Sequence, residues 1–346
     1  MKTRFLPALI ASAAISVAPM KAAAVLLAYE GFDCTPGQSL VGQSGGLGFS
    51  TAWLGDANTT SNTLVVAGSF TYTDAFGNTL VTSGNRVWAT GDGRPEGDNF
   101  PSGVNGSASP RRLLGVDRGL DSTPTTTWAS VLALRVGNPY AYTNTDGKVA
   151  YYGRAVGALQ FFYNASRNIS SSAGNEMVSI GRASENTTGI DPNRNVDTWA
   201  VYNRGTATQQ VTSTVPLTNE PVTFIVARID HNPGTDPRVA GAADRIYVWF
   251  NPADLRVEPD INSADLTLTP TQFDSNNDRD YVFNVIRLFG GNFNTTVGYG
   301  SVQVDEIRIG TTYFDVAPIP EPSALSLLAL GGVMALVTFW LRRRTA

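Results

Sequence analysis

The chain has 346 residues, with 34 glycines, 19 prolines, 10% aromatic residues and a formal charge of −4. That length can hold one large domain or two ordinary ones, each with a substantial core. Between the terminal segments lie 19 of the 25 basic and 28 of the 29 acidic residues, with Lys148 the only lysine; a nucleic-acid binder needs a basic footprint that releases counterions, so that class is excluded.

The first 24 residues read as a secretory leader. Lys2 and Arg4 form a charged start, Phe5 to Val17 an apolar stretch, and Ala22-Ala23-Ala24 a small-residue cleavage site. Signal peptidase and the Sec export machinery are the partners this implies. The exported part then opens near Val25 with one cysteine, Cys34. A lone cysteine forms no internal disulfide, so the domain relies on its core, and Cys34 reads as a small buried hydrophobe.

Residues 25–316 read as strands throughout. In "TTWASVLALRV", Trp128, Ser130, Leu132 and Leu134 share one face, and Ala129, Val131 and Ala133 the other. "PVTFIVARID" and "RIYVWFNP" are likewise apolar on both faces, as central strands of stacked sheets are. Roughly twelve to fourteen such runs alternate with Gly, Asn, Asp and Pro turns, which predicts an all-β, two-sheet antiparallel sandwich. Residues 91–110 and 231–244 read as long loops. "LLAYEGFD", "RRLLG", "VARID" with "IYVWFNP", and the closing "VDEIRIGTTYFDV" resemble concanavalin A-like, laminin-G-like jelly-roll domains. The resemblance implies that the first and last strands pair side by side. In the last run the apolar phase flips from Val302 and Val304 to Ile307 and Ile309, which predicts a β-bulge at Asp305-Glu306.

Chemistry is sparse in this segment. His231 is the only histidine and reads as a surface turn residue. Sugar hydrolases of the same fold need two carboxyl groups on one face. Their E-x-D-x-x-E pattern is absent: Val178 and Ile180 follow Glu176 on its face, and Asp305 and Glu306 would oppose each other on a regular strand. The chain is therefore expected to be a non-enzyme. "DSNNDRD" sets Asp274, Asn276, Asp278 and Asp280 at alternating positions, an oxygen-rich spacing suited to Ca2+, although Arg279 stands where an EF-hand loop has glycine. A solvated acidic turn is the competing reading. Trp53, in the Gly-rich "GGLGFSTAWLGD", is the expected exposed ring for stacking on sugars.

The tail, 317–346, is the most specific stretch. Pro320-Glu321-Pro322-Ser323 precedes an uncharged run from Ala324 to Leu341, then Arg342, Arg343 and Arg344. As a helix the run would be about 27 Å long, enough to cross most of a bilayer's hydrocarbon core, with the arginines as a cytoplasmic stop. The three parts in this order resemble the PEP-CTERM sorting signal. That resemblance implies an exosortase as processing partner, brief anchoring in the inner membrane, and delivery to the cell surface or an exopolysaccharide matrix. The expected role is non-catalytic glycan binding. The alternatives are a secreted polysaccharide-cleaving enzyme on the same scaffold and a structural surface protein without a specific ligand.

Overall fold

The computed structural model describes residues 25–320 except 91–106, 122, 137–140, 144–148, 152–154, 183–197, 204–209, 217–220, 233–243, 269–280 and 292–300. The leader, the 274–280 acidic run and everything after Pro320, including Glu321, Pro322, Ser323 and Arg342–Arg344, lie outside the described residues. Among the described residues no helix is long and apolar enough to cross a membrane.

In chain order the strands are β1 (Leu26–Glu30), β2 (Thr63–Val66), β3 (Arg86–Thr90), β4 (Arg111–Arg118), β5 (Thr125–Arg135), β6 (Ala141–Thr143), β7 (Val149–Tyr151) and β8 (Ala155–Tyr163). They continue with β9 (Asn175–Arg182), β10 (Thr198–Asn203), β11 (Gln210–Pro216), β12 (Thr223–His231), β13 (Arg245–Phe250), β14 (Leu266–Leu268), β15 (Phe283–Gly291) and β16 (Ser301–Gly310). Among the described residues, two short α-helices, α1 (Ala57–Ser61) and α2 (Tyr313–Val316), and a 3-10 turn at Ile261–Ser263 accompany the strands.

One sheet has eight strands in the order β14-β13-β12-β5-β16-β3-β2, with β1 also on β16; the other has six, β11-β10-β9-β8-β15-β4. β6 and β7 form a separate hairpin. All strand pairs are antiparallel, and the first strand lies beside the last, as expected. The inner faces meet in a core that includes Ala129, Val131, Ala133, Phe161, Ile180, Ile225, Ile286 and Val304. Each residue follows the strand period of two, so its neighbours face outward.

The second apolar face of the eight-stranded sheet is also covered. Trp128, Leu132, Phe224, Val226 and Trp249 pack beneath Phe70, Tyr72, Leu80, Leu255 and Tyr313. Trp128 stacks on Trp249 at 5.7 Å between ring centroids. This outer layer explains why β5, β12 and β13 are apolar on both sides. Packing continues past α2: Ala317 is buried, Ile319 lies against the same layer, and the Val81 N–H donates to the Pro318 carbonyl at 2.9 Å.

The predicted bulge is present. Register on β16 shifts between Asp305 and Arg308, and Glu306 has φ +55. It marks a handover: Ser301–Val304 pair with β3, whereas Ile307–Gly310 pair with β1.

Candidate functional site

The outer face of the six-stranded sheet carries a connected row of polar side chains. Arg287 on β15 sits opposite Arg111 on β4 and Gln160 on β8, and Gln160 sits opposite Ser179 on β9. Their strand neighbours Ile286, Phe161 and Ile180 face the core, so this row faces away from it.

The row is a single hydrogen-bonded unit. Arg287 Nε donates to Gln160 Oε1 at 2.7 Å, and Gln160 Nε2 donates to Ser179 Oγ at 2.7 Å and Glu176 Oε1 at 3.2 Å. Ser179 Oγ donates to the same Glu176 oxygen. Arg287 Nη2 lies 3.9 Å from Glu176 Oε2. The Arg287 guanidinium is held flat by Phe162, 4.2 Å from its ring centroid, and by Phe289 at 5.3 Å. Gln160 and Ser179 are fully buried, while the Arg287 and Glu176 side chains each keep 21% of their surface.

One end of this face is closed. Ile169 and Ala173, from the loop after β8, cover Leu113, Phe162 and Val285, and Arg111 donates to the Ile169 and Ser170 carbonyls at 2.7 Å each. The polar row begins where that apolar cap stops. Gly157 lies beside it, because a Cβ there would meet Gln160 Cδ at 2.7 Å.

The row was only partly legible beforehand. Gln160 in "ALQFFY" and Arg287 in "NVIRLFG" are lone polar residues at outward positions of apolar strands, which was the available signal. For Glu176 the expectation is corrected. Between Phe161 and Phe162 the β8–β9 register skips a residue, so Glu176 pairs opposite Phe162 on the outer face while Val178 and Ile180 stay in the core.

Trp53 is corrected too. It is fully buried, stacks on Phe32 at 5.9 Å and donates from Nε1 to Glu30 Oε2 at 3.0 Å. The Gly-rich segment before it is packed backbone rather than open loop. Gly46 and Gly48 have positive φ, and a Cβ would strike the Tyr29 carbonyl at 2.0 Å or the Leu27 carbonyl at 1.9 Å. Trp53 offers no face to a sugar.

His231 is not a surface residue. It is buried at the end of β12, with Nε2 2.9 Å from Thr127 Oγ1 and Nδ1 3.3 Å from Asp244 Oδ2. This Thr-His-Asp chain has the connectivity of a nucleophilic triad. Its hydroxyl, however, is buried and also accepts from Arg118 Nε at 3.0 Å, while Asp244 accepts from the Asn232 and Tyr281 backbone at 2.8 and 2.7 Å. The chain closes one end of the sandwich.

Asp305 and Glu306 do not oppose each other, because the bulge turns both toward the outer layer. Asp305 accepts from Ser69 Oγ at 2.5 Å and Phe70 N at 2.7 Å. Glu306 accepts from Ser83 N at 2.5 Å and Tyr29 Oη at 3.1 Å, and pairs with Arg308. Burial pushes Asp305 up to about 7 and raises Glu306. Both carboxylates fasten the 68–83 segment to β16. Among the described residues no group of three or more His, Cys, Asp or Glu could hold a metal ion. Asp274, Asn276, Asp278 and Asp280 fall outside them.

No protein-family model matches the chain, and no curated protein does. Among solved structures it is similar to an endo-β-1,4-glucuronan lyase from the fungus Trichoderma reesei, at 12% identity over 85% of this chain and 99% of that one, with a TM-score of 0.43. An endo-1,3-β-glucanase from Streptomyces sioyaensis matches at 12% identity over 85% and 98%, TM-score 0.38. The exoplasmic/lumenal domain of VIP36 in its Ca2+/Man-bound form matches at 11% identity over 72% and 87%, TM-score 0.33.

Proposed function

We propose that the protein is an exported β-sandwich that binds a glycan on its six-stranded sheet without cleaving it. The observation that carries this reading is the Arg287–Gln160–Ser179–Glu176 row. It offers the exposed edges of a guanidinium and a carboxylate, Arg287 and Glu176, both held in place by the buried Gln160 and Ser179, with Phe162 and Phe289 packed against the guanidinium. A rigidly held donor and acceptor suit a hydroxyl-rich ring, because little ordering entropy is lost on binding. Among the described residues, Glu176 is the carboxylate hydrogen-bonded within this row. Sugar hydrolysis by the common route uses two carboxyl groups, so the reducing-end measurement below is what separates binding from the polysaccharide-cleaving alternative.

The tail completes the proposal. Pro320-Glu321-Pro322-Ser323, the apolar run and Arg342–Arg344 act as an exosortase-read address that holds the protein at the inner membrane and then passes it to the surface or matrix.

The test incubates the full-length chain, in mild detergent, with a panel of neutral and anionic polysaccharides, scoring retention and new reducing ends. Retention without new ends, lowered about tenfold by Arg287→Ala, is the expected result, equivalent to about 1.4 kcal/mol. New reducing ends support the enzyme. A chain retained by no polysaccharide leaves the purely structural role.

A further inference from the structure

The face opposite the polar row presents a second feature that folding does not account for. Phe76 is 65% exposed, the most exposed of the large apolar side chains among the described residues. It stands at the tip of a tight turn packed, through Tyr72 and Leu80, on the outer layer of the eight-stranded sheet. Burying such a ring would stabilise the fold, so its exposure marks the turn as a candidate contact surface.

The turn is built to hold that ring still. Asp74 Oδ1 accepts from the Phe76 and Asn78 backbone at 2.9 and 2.8 Å, and its Oδ2 accepts from Asn78 Nδ2 and Leu255 N at 2.7 Å each. Gly77, at φ +83, closes the turn, and the Asp74 N–H donates to the Asn78 carbonyl at 2.9 Å. The polar rim is equally fixed. Arg256 donates to both oxygens of Asp254, from Nε at 3.0 Å and Nη2 at 2.9 Å, and its guanidinium lies 5.8 Å from the Phe76 ring centroid.

We infer that Phe76, rimmed by Arg256, Asp254 and Asn78, is a second saccharide contact, one that takes the apolar face of a neutral pyranose. An aromatic ring covers the axial C–H face of a sugar while flanking polar groups meet its hydroxyls. Charge selects the class. Asp254 already pairs with Arg256 and the buried Asp74 accepts four hydrogen bonds within the turn, so among the described rim residues no unpaired cation is left to hold an anionic lipid or an acidic sugar.

This contact rests on the glycan-binding reading above and extends it. The Arg287 row lies on the outer side of the six-stranded sheet and Phe76 on the outer side of the eight-stranded one. One protein would therefore touch two chains and cross-link them, with the avidity that two linked contacts give.

The experiment uses the full-length protein in mild detergent with insoluble neutral polysaccharides (curdlan, cellulose, chitin), with alginate, and with phosphatidylglycerol-containing vesicles. Phe76→Ala should lower retention on a neutral polysaccharide about fivefold with unchanged melting, and Phe76→Trp should preserve it. Turbidity of a soluble neutral β-glucan should rise with the wild type and with neither Phe76→Ala nor Arg287→Ala. Wild-type retention that Phe76→Ala leaves intact overturns this contact alone, as does retention confined to alginate. Loss of vesicle binding with polysaccharide retention unchanged also overturns it, in favour of a membrane role. A wild type retained by no polysaccharide removes the glycan-binding reading and this contact together.

Discussion

Glu30 on β1 and Arg112 on β4 form a fully buried ion pair that ties the eight-stranded sheet to the six-stranded one. Every arm of it is committed. Glu30 accepts from Phe32 N at 2.9 Å and from Trp53 Nε1 at 3.0 Å; Arg112 donates to the Thr51 and Gly45 carbonyls at 2.8 and 2.9 Å and lies 4.3 Å over Phe49. Removing one partner of such a pair leaves an uncompensated buried charge. Arg112→Met should therefore cost about 3–5 kcal/mol in urea unfolding at neutral pH, and Glu30→Gln added to it should recover part of that loss. A single variant as stable as the wild type would show that the pair does not join the sheets energetically.

Asp305 makes stability depend on pH in an uncommon direction. Its folded value near 7 lies above the unfolded carboxylate value of about 4, with desolvation the largest cause, opposed by the bonds from Ser69 and Phe70. The native state then binds more protons than the unfolded chain between these values, so this group's contribution falls as pH rises from about 4 to about 7 and is flat above. Asp305→Asn should remove that slope. Chemical denaturation of wild type and variant at pH 4.5, 6 and 7.5 checks it; parallel profiles would place the Asp305 titration outside this window.

The His231 chain is predicted to be structural. Thr127 Oγ1 accepts from Arg118 and is shielded from solvent, so an acylating or phosphonylating hydrolase reagent should leave it unlabelled. His231→Ala leaves the Thr127 hydroxyl and Asp244 short of a partner and should cost roughly 1–3 kcal/mol. Stoichiometric labelling of Thr127 would instead make this end of the sandwich an active site.

The sandwich was legible because strands of period two, turn residues and a phase flip are local signals. β16 shows this best: Val302, Val304, Ile307 and Ile309 announced both the strand and its bulge. What local signals could not show was where backbones meet. Trp53 looked exposed because glycines precede it, yet Gly46 and Gly48 are there to let that segment lie against Leu27 and Tyr29. Glu176 changed faces through a register skip that only its partner strand reveals. The Arg287 row joins the consecutive strands β8 and β9 to β15, 127 residues beyond Gln160, and His231 meets Thr127 and Asp244 only where β5 and β12 pair.

Residues 274–280 give a prediction from their composition. Asp274, Asp278 and Asp280 repel one another, and a bound Ca2+ would remove that penalty. A cation bound only by the native state stabilises by about 2.7 kcal/mol at a hundredfold excess over Kd, a melting shift of a few degrees for a domain this size. Melting in millimolar Ca2+ should exceed melting in chelator, and Asp278→Ala should erase the difference. Identical curves would leave these residues as a solvated turn.

The sorting proposal has a geometric consequence at the edge of the fold. The Pro318 carbonyl holds Val81, and Ile319 packs on the outer layer, so the domain reaches the residue before Pro320. Only Pro320 to Ser323 separate it from the apolar run, a reach of at most about 14 Å. A protease at the bilayer surface would thus work directly against the folded domain, on a segment that two prolines keep out of the helical conformation. Cleavage there would keep the described packed residues, through Ile319, in the released domain. Replacing Pro320, Glu321 and Pro322 by alanine should leave full-length protein in the inner membrane. Intact-mass measurement of wild-type surface material should show a C-terminus near the motif, and a wild-type mass that still runs to Ala346 would sink the processing step.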